Sequence, residues 1–149
     1  MKKMMLIMLL VFAGSVIFAQ QTEAPKPVAP YSQSVTTETG LLFVSGQIPI
    51  NPETGMLVEG DIKQATGQAM KNIEAILKKS GMDFSNVVKC TVFLTDIRDY
   101  GAINEVYKTF FKEGFLAREA IEVVNLPLGA RIEISAIAAE NVKNRLTVE

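Results

Sequence analysis

The demanding part of this sequence is Arg118–Ala139, AREAIEVVNLPLGARIEISAIA. It reads as two strands, Arg118–Val124 and Arg131–Ala139, joined by the turn Leu126-Pro127-Leu128-Gly129. Successive side chains on a strand point to opposite faces. Arg118, Ala120 and Glu122 therefore share one face, and Ile121 and Val123 the other. Glu133 shares a face with Arg131 and Ser135, while Ile132 and Ile134 turn toward a core. A charge on a core strand costs free energy unless it is paired, so any fold of this chain has to account for Arg118 and Glu133.

Two accounts stay open for each. Arg118 forms a local ion pair with Glu122 on a solvated face, or its guanidinium offers two parallel N–H donors to a carboxylate ligand. Glu133 pairs with Arg131 at the surface, or serves a site. A simple hairpin about residues 126–129 sets Glu133 near Glu122 and Arg118 near Ile137. The pattern by itself does not bring Arg118 and Glu133 together.

The rest of the chain supplies a sheet and two helices. Tyr31–Thr37 and Leu41–Gly46 read as strands, the second rich in β-formers. Asn51-Pro52-Glu53-Thr54-Gly55 is a turn. Asp61–Ser80 is a helix with Asp61 as cap and Gln64 completing a capping box. Its apolar face is Ile62, Ala65, Ala69, Ile73, Ile76 and Leu77, and Gly81 stops it. Val87–Thr95 is a nearly continuous apolar strand, hence central. Asp99–Lys112 is a second helix, with Tyr100, Ile103, Tyr107 and Phe110 at helical spacing. The order β-β-α-β-α-β-β predicts an α+β two-layer sandwich, one mixed sheet with both helices on a single face. The second face of that sheet carries Phe43 or Val44, Val92 or Leu94, and Ile132 or Ile134, depending on register. Two helices cannot cover both faces, so self-association through the sheet is expected.

Composition removes several function classes. The 149-residue chain has no His and one Cys. This excludes a Ser-His-Asp triad, a Cys-His pair and a His-based metal site. Cys90 lies inside an apolar strand and reads as a buried thiol. Lys2 and Lys3 followed by the apolar run Leu6–Phe18 read as a cleavable signal peptide over residues 1–19, the run being short of the ~20 residues that span a bilayer. Without that segment the chain carries 13 basic and 16 acidic side chains, net −3. No basic stripe survives, which argues against a nucleic-acid surface, and no membrane anchor is expected after cleavage. Residues 20–30 read as an extended Pro-rich lead-in, 31–140 as the domain and 141–149 as a polar tail. Asn104 lies on the flank of the second helix between Tyr100 and Tyr107, either a surface amide or a site residue. Tyr31 is a packing aromatic or a hydroxyl aimed at a ligand. Gly46 permits close backbone approach.

Several stretches taken together resemble one family. They are Pro30-Tyr31-Ser32-Gln33, Val44-Ser45-Gly46-Gln47-Ile48-Pro49, Asn51–Gly55, Asn104 with Tyr107 and Phe110-Phe111, Ala117-Arg118, and Leu126–Ile134. Their order and spacing are similar to the RidA/YjgF (L-PSP) family of enamine/imine deaminases, over about residues 25–140. The resemblance implies a chorismate-mutase-like fold and a homotrimer whose sheets line a central barrel, with three clefts between subunits. It implies that Arg118 binds the carboxylate of a 2-imino acid and that Glu133 activates the attacking water. Tyr31, Gly46 and Asn104 would line the cleft or its subunit interface. Ala120 takes the place of a frequent Cys, keeping a backbone N–H contact and losing any thiol role. Leu116 stands where the family often has Pro, and Ala29 where Gly is common.

The expected function is hydrolytic deamination of a small 2-imino acid to a 2-oxo acid and ammonia, with no cofactor. One rival is an exported, non-enzymatic trimer that binds small carboxylates or a protein partner in the same clefts. Another is ribonuclease or translation inhibition, which the net acidic chain and the missing His oppose. The signal peptide implies a periplasmic or secreted protein.

Overall fold

The computed structural model of the chain describes residues 23–111, 114 and 116–142. The expected signal peptide, the start of the expected lead-in and the tail from residue 143 lie outside the described residues. Five strands form one sheet: β1 Ser34–Thr36, β2 Leu41–Gln47, β3 Val87–Leu94, β4 Ala117–Glu122 and β5 Ile132–Ala139. Two helices, α1 Ile62–Lys79 and α2 Tyr100–Tyr107, lie on one face.

α1 forms for the reasons its sequence states. Asp61 accepts hydrogen bonds from the N–H groups of Lys63 (2.9 Å) and Gln64 (3.0 Å), and Gln64 Oε1 accepts from the Asp61 N–H at 2.7 Å. Two otherwise orphaned N–H groups are satisfied reciprocally. At the far end Gly81 takes φ 71°, a left-handed conformation that glycine adopts without a Cβ clash. The predicted apolar face is buried throughout, and α1 packs across β2 and β5 and against α2. Each fully buried Ile or Leu there contributes roughly 1.5–3 kcal/mol.

The sheet order is β1-β2-β5-β3-β4. β3 and β4 are parallel, joined across α2, and all other pairs are antiparallel. The expected β4–β5 hairpin is not formed. β5 sits between β2 and β3, and β4 is an edge strand. The reason is chemical: Ile132, Ile134, Ala136 and Ala138 are all buried and suit a central strand, while β4 carries Arg118, Glu119 and Glu122, which suit an edge. Across the sheet Arg118 aligns with Cys90 and Ala136, and Glu133 with Phe93 and Ile121.

Register also settles the faces. Leu42, Val44, Cys90, Val92, Leu94, Ile132 and Ile134 are buried under the helices. Of the residues expected on the second face, only Phe43 is there, 44% exposed. Val35 beside it on β1 is 57% exposed, Ile121 on the distant β4 edge of the same face is 43% exposed, and Phe93 and Ile137 are half-buried. Val35, Phe43 and Ile137 form one apolar row across β1, β2 and β5. Alternation in β4 holds, with the faces exchanged: Arg118 and Ala120 turn toward the helices and Ile121 toward the open side.

Two elements are shorter than expected. β1 begins at Ser34, because the N–H of Tyr31 closes on the Ala29 carbonyl (2.8 Å) in a tight turn. α2 ends at Tyr107 and continues as a 3-10 turn, Lys108–Phe110. There the Thr109 hydroxyl donates to the Val106 carbonyl at 2.7 Å, a local bond that competes with the helical ladder. Lys112 lies outside the described residues. Cys90 is buried, as its place in an apolar strand leads one to expect.

Candidate active site

Arg118 leaves the edge of the sheet and lies against α2. Its Nη1 donates to Asn104 Oδ1 at 2.7 Å, and its Nη2 donates to the Tyr100 hydroxyl at 2.7 Å. Its Cζ stands 4.8 Å from the Tyr107 ring centroid and 5.4 Å from that of Tyr100. Residues 100, 104 and 107 fall on one flank of a helix, so a single short helix supplies both hydrogen-bond acceptors and both rings. All of these partners are neutral. Among the described residues Arg118 makes no ion pair, and its positive charge is uncompensated. The Arg118–Glu122 pair is absent.

Beside the guanidinium is a cleft of about 450 Å³ lined by Asn104, Tyr107, Lys108, Leu116 and Arg118. Among the described lining residues, Lys108 and Arg118 are cationic and none is acidic. Ala120, two residues along β4, packs partly buried against the core. Tyr107, Lys108 and Leu116 were not singled out as site residues from sequence, and neither was Tyr100. The usable signal was the Tyr100–Asn104–Tyr107 spacing around an amide.

Glu133 stands apart from this cluster. It lies on the open face of β5, two strands from Arg118 and on the opposite side of the sheet. Arg131 does not pair with it; Arg131 Nη2 donates instead to Asp99 Oδ2 at 2.7 Å. Half-burial pushes the Glu133 carboxyl above its ordinary value, because desolvation penalises the charged form. The carboxylate rests on Gly46. A Cβ at residue 46 would overlap Glu133 Oε1 and lie 2.7 Å from its Cδ. The close approach is made by a bulge: β2 fits Ser45 and Gly46 opposite the single residue Ser135, between the pairs Val44–Ala136 and Gln47–Ile134.

The segment after Tyr31 runs along β2, where Ser45 Oγ donates to the Ser32 carbonyl (2.7 Å) and the Ser45 N–H to that of Gln33 (3.0 Å). Tyr31 itself is 43% exposed. One protomer thus keeps Arg118 with Asn104 at the β4 edge apart from Glu133 against Gly46 on the open face. Among the described residues no group of three or more Cys, Asp or Glu side chains could hold a metal ion.

A family model described as Endoribonuclease L-PSP matches residues 21–140. The chain belongs to the L-PSP, or Rid, family. Its L-PSP relatives include the human (Homo sapiens) 2-iminobutanoate/2-iminopropanoate deaminase, 48% identical over 79% of this chain and 85% of that one. A conserved Rid-family protein of Yersinia pestis superposes with a TM-score of 0.76 at 45% identity, over 80% of this chain and 94% of that one. RidA from Psychrobacter sp. PAMC 21119 gives 0.76 at 38% identity, over 80% and 96%. The fold is the chorismate-mutase-like fold of Rid proteins.

Proposed function

We propose that this protein is a Rid-type deaminase that hydrolyses small 2-imino acids. The observation that carries the proposal is the guanidinium of Arg118, held by neutral oxygens at the wall of a cleft whose described lining carries no acid. Among the described residues this cation has no counter-charge, and three of its five N–H donors are unused, the requirements for gripping a carboxylate. Close relatives named as deaminases of 2-iminobutanoate and 2-iminopropanoate support the substrate class.

In this reading Arg118 holds the substrate carboxylate and fixes the imine carbon. Glu133 takes a proton from water as the oxygen adds to that carbon. The C=N bond becomes a C–N single bond, and its nitrogen gains a proton. A further proton on nitrogen lets ammonia leave as the carbonyl forms. The raised pKa of Glu133 suits a base of moderate strength. The imine also hydrolyses unaided, so positioning and one proton acceptor suffice. Since the two groups occupy opposite faces of one sheet, the cleft takes Arg118 from one copy and Glu133 from another. Tyr31 and Gly46 enter with Glu133, and Asn104 and Ala120 with Arg118. The exposed apolar row on the open face supports association through the sheet, as a homotrimer. Export through residues 1–19 is part of the same proposal, and N-terminal sequencing of protein recovered outside the cytoplasm tests it.

The test generates imino acids with an amino-acid oxidase and traps the survivors with semicarbazide. Purified protein should lower the trapped signal, and Arg118→Ala should return it to background. Wild-type turnover by Arg118→Ala would sink the assignment. A folded protein that binds carboxylates without lowering the signal would favour a binding module.

A further inference from the structure

We propose that Tyr100 is the positioning residue that fixes the guanidinium of Arg118 for carboxylate capture. The inference rests on the carboxylate-gripping role of Arg118 proposed above and adds the group that makes the grip rigid.

An arginine on an edge strand has a long side chain with many rotamers, and ordering it on ligand binding costs entropy. Here the ordering is done beforehand. Asn104 Oδ1 takes one N–H from Nη1, and the Tyr100 hydroxyl takes one from Nη2, both at 2.7 Å. With both terminal nitrogens tied, the guanidinium plane cannot turn about the Cδ–Nε bond. The Tyr107 ring at 4.8 Å fixes which way the plane faces. Removal of the Tyr100 hydroxyl would release Nη2 while leaving the cation stacked on its rings.

Tyr100 is itself held from behind. Asp99, the preceding residue, accepts from Arg131 Nη2 at 2.7 Å, and the Arg131 carbonyl accepts from the Thr95 N–H at 3.1 Å. The start of α2 is therefore tied to the ends of β3 and β5. Tyr100 is 39% exposed, so its hydroxyl is not needed to satisfy a buried core. Among the described residues, its one hydrogen bond to another side chain is the bond to Arg118.

The experiment compares wild type, Arg118→Ala and Tyr100→Phe in two measurements. One is calorimetric titration with 2-oxobutanoate, a 2-oxo acid carrying the same carboxylate. The other is steady-state imine hydrolysis. Tyr100→Phe keeps the ring and removes the acceptor. It should raise the Kd for 2-oxobutanoate and the KM about tenfold, the worth of one hydrogen bond to a charged group. The loss should fall on KM rather than kcat, with an unchanged Tm, a split that a general structural role would not produce. Tyr100→Phe with wild-type Kd and KM, beside an Arg118→Ala variant that no longer binds, would overturn the role of Tyr100 alone. A fall in kcat at constant KM would overturn it as well. Binding of 2-oxobutanoate that is indifferent to Arg118→Ala would instead overturn the underlying reading of Arg118.

Discussion

Asn72 offers the sharpest test of how the scaffold holds the site. It is fully buried in α1. Its Nδ2 donates to the Ile48 carbonyl at 3.1 Å and to the Ile50 carbonyl at 3.0 Å, and its Oδ1 accepts from Gln68 at 2.9 Å. One side chain thus fastens the segment that follows Gly46 to the helix beneath it. Asn72→Ala removes both donors. The Ile48 carbonyl keeps the N–H of Ile50 at 2.8 Å. The Ile50 carbonyl keeps no hydrogen bond among those described. Two neutral hydrogen bonds are worth roughly 1 kcal/mol each, and a stranded buried acceptor costs about 1–3 kcal/mol more. The expected loss is about 3–5 kcal/mol. For a domain of this size that lowers Tm by roughly 9–25 °C. Thermal unfolding by circular dichroism reads the shift, and urea unfolding with an unchanged m-value shows that it belongs to the native state. Asn72→Asp is the companion variant. It is nearly isosteric, yet it turns an oxygen toward two carbonyls and should cost at least as much at neutral pH. A Tm within 3 °C of wild type for both would refute the claim that Asn72 anchors residues 48–50.

Three further expectations concern the site and the open face. Gly46→Ala drives a Cβ into the Glu133 carboxylate, so turnover should fall more than tenfold while Tm drops by only a few degrees; equal activity would show that Glu133 is not held there. The raised pKa of Glu133 gives opposite signs for two properties. The native state keeps the proton more tightly than the unfolded chain, so its contribution to stability declines as pH rises through the folded pKa. Activity should rise over the same interval as the base ionises, and Glu133→Gln should abolish that limb of the pH–rate profile. Phe43→Asp places a charge in the exposed apolar row and should shift the sedimenting species toward monomer; an unaltered oligomer would mean that the open face is not the contact surface.

Much of the scaffold was legible because its signals are local. The capping box of Asp61 and Gln64, the stripe on α1 and the burial of Cys90 depend on neighbours within a turn or two. The place of β5 was not legible in this way. Inserting it between β2 and β3 is a long-range choice, decided by burial of Ile132, Ile134, Ala136 and Ala138 that no adjacent residue reports. The same step exchanged the faces of β4. Alternation says which residues travel with Arg118, but only tertiary packing says which side α2 covers. Arg118, Asn104 and Glu133 were identified as candidates through ordered motifs spread over the chain. Helical spacing places Tyr100 but cannot distinguish a ring that fills a core from a hydroxyl that accepts from a guanidinium. The ion pairs proposed from proximity, Arg118–Glu122 and Arg131–Glu133, lost to partners distant in sequence.

The separation of Arg118 from Glu133 across the sheet has a consequence for how activity depends on the number of molecules present. On the proposed reading, a cleft that uses both groups is a property of an assembly, and each chain would contribute halves of two different clefts. Dilution below the dissociation constant of the assembly should extinguish turnover without unfolding anything. Two inactive proteins, Arg118→Ala and Glu133→Gln, should then repair each other on mixing. If subunits exchange freely, about one cleft in four in an equal mixture draws an intact arginine from one parent and an intact glutamate from the other. A mutation in either residue would also act in trans in a cell that makes both forms.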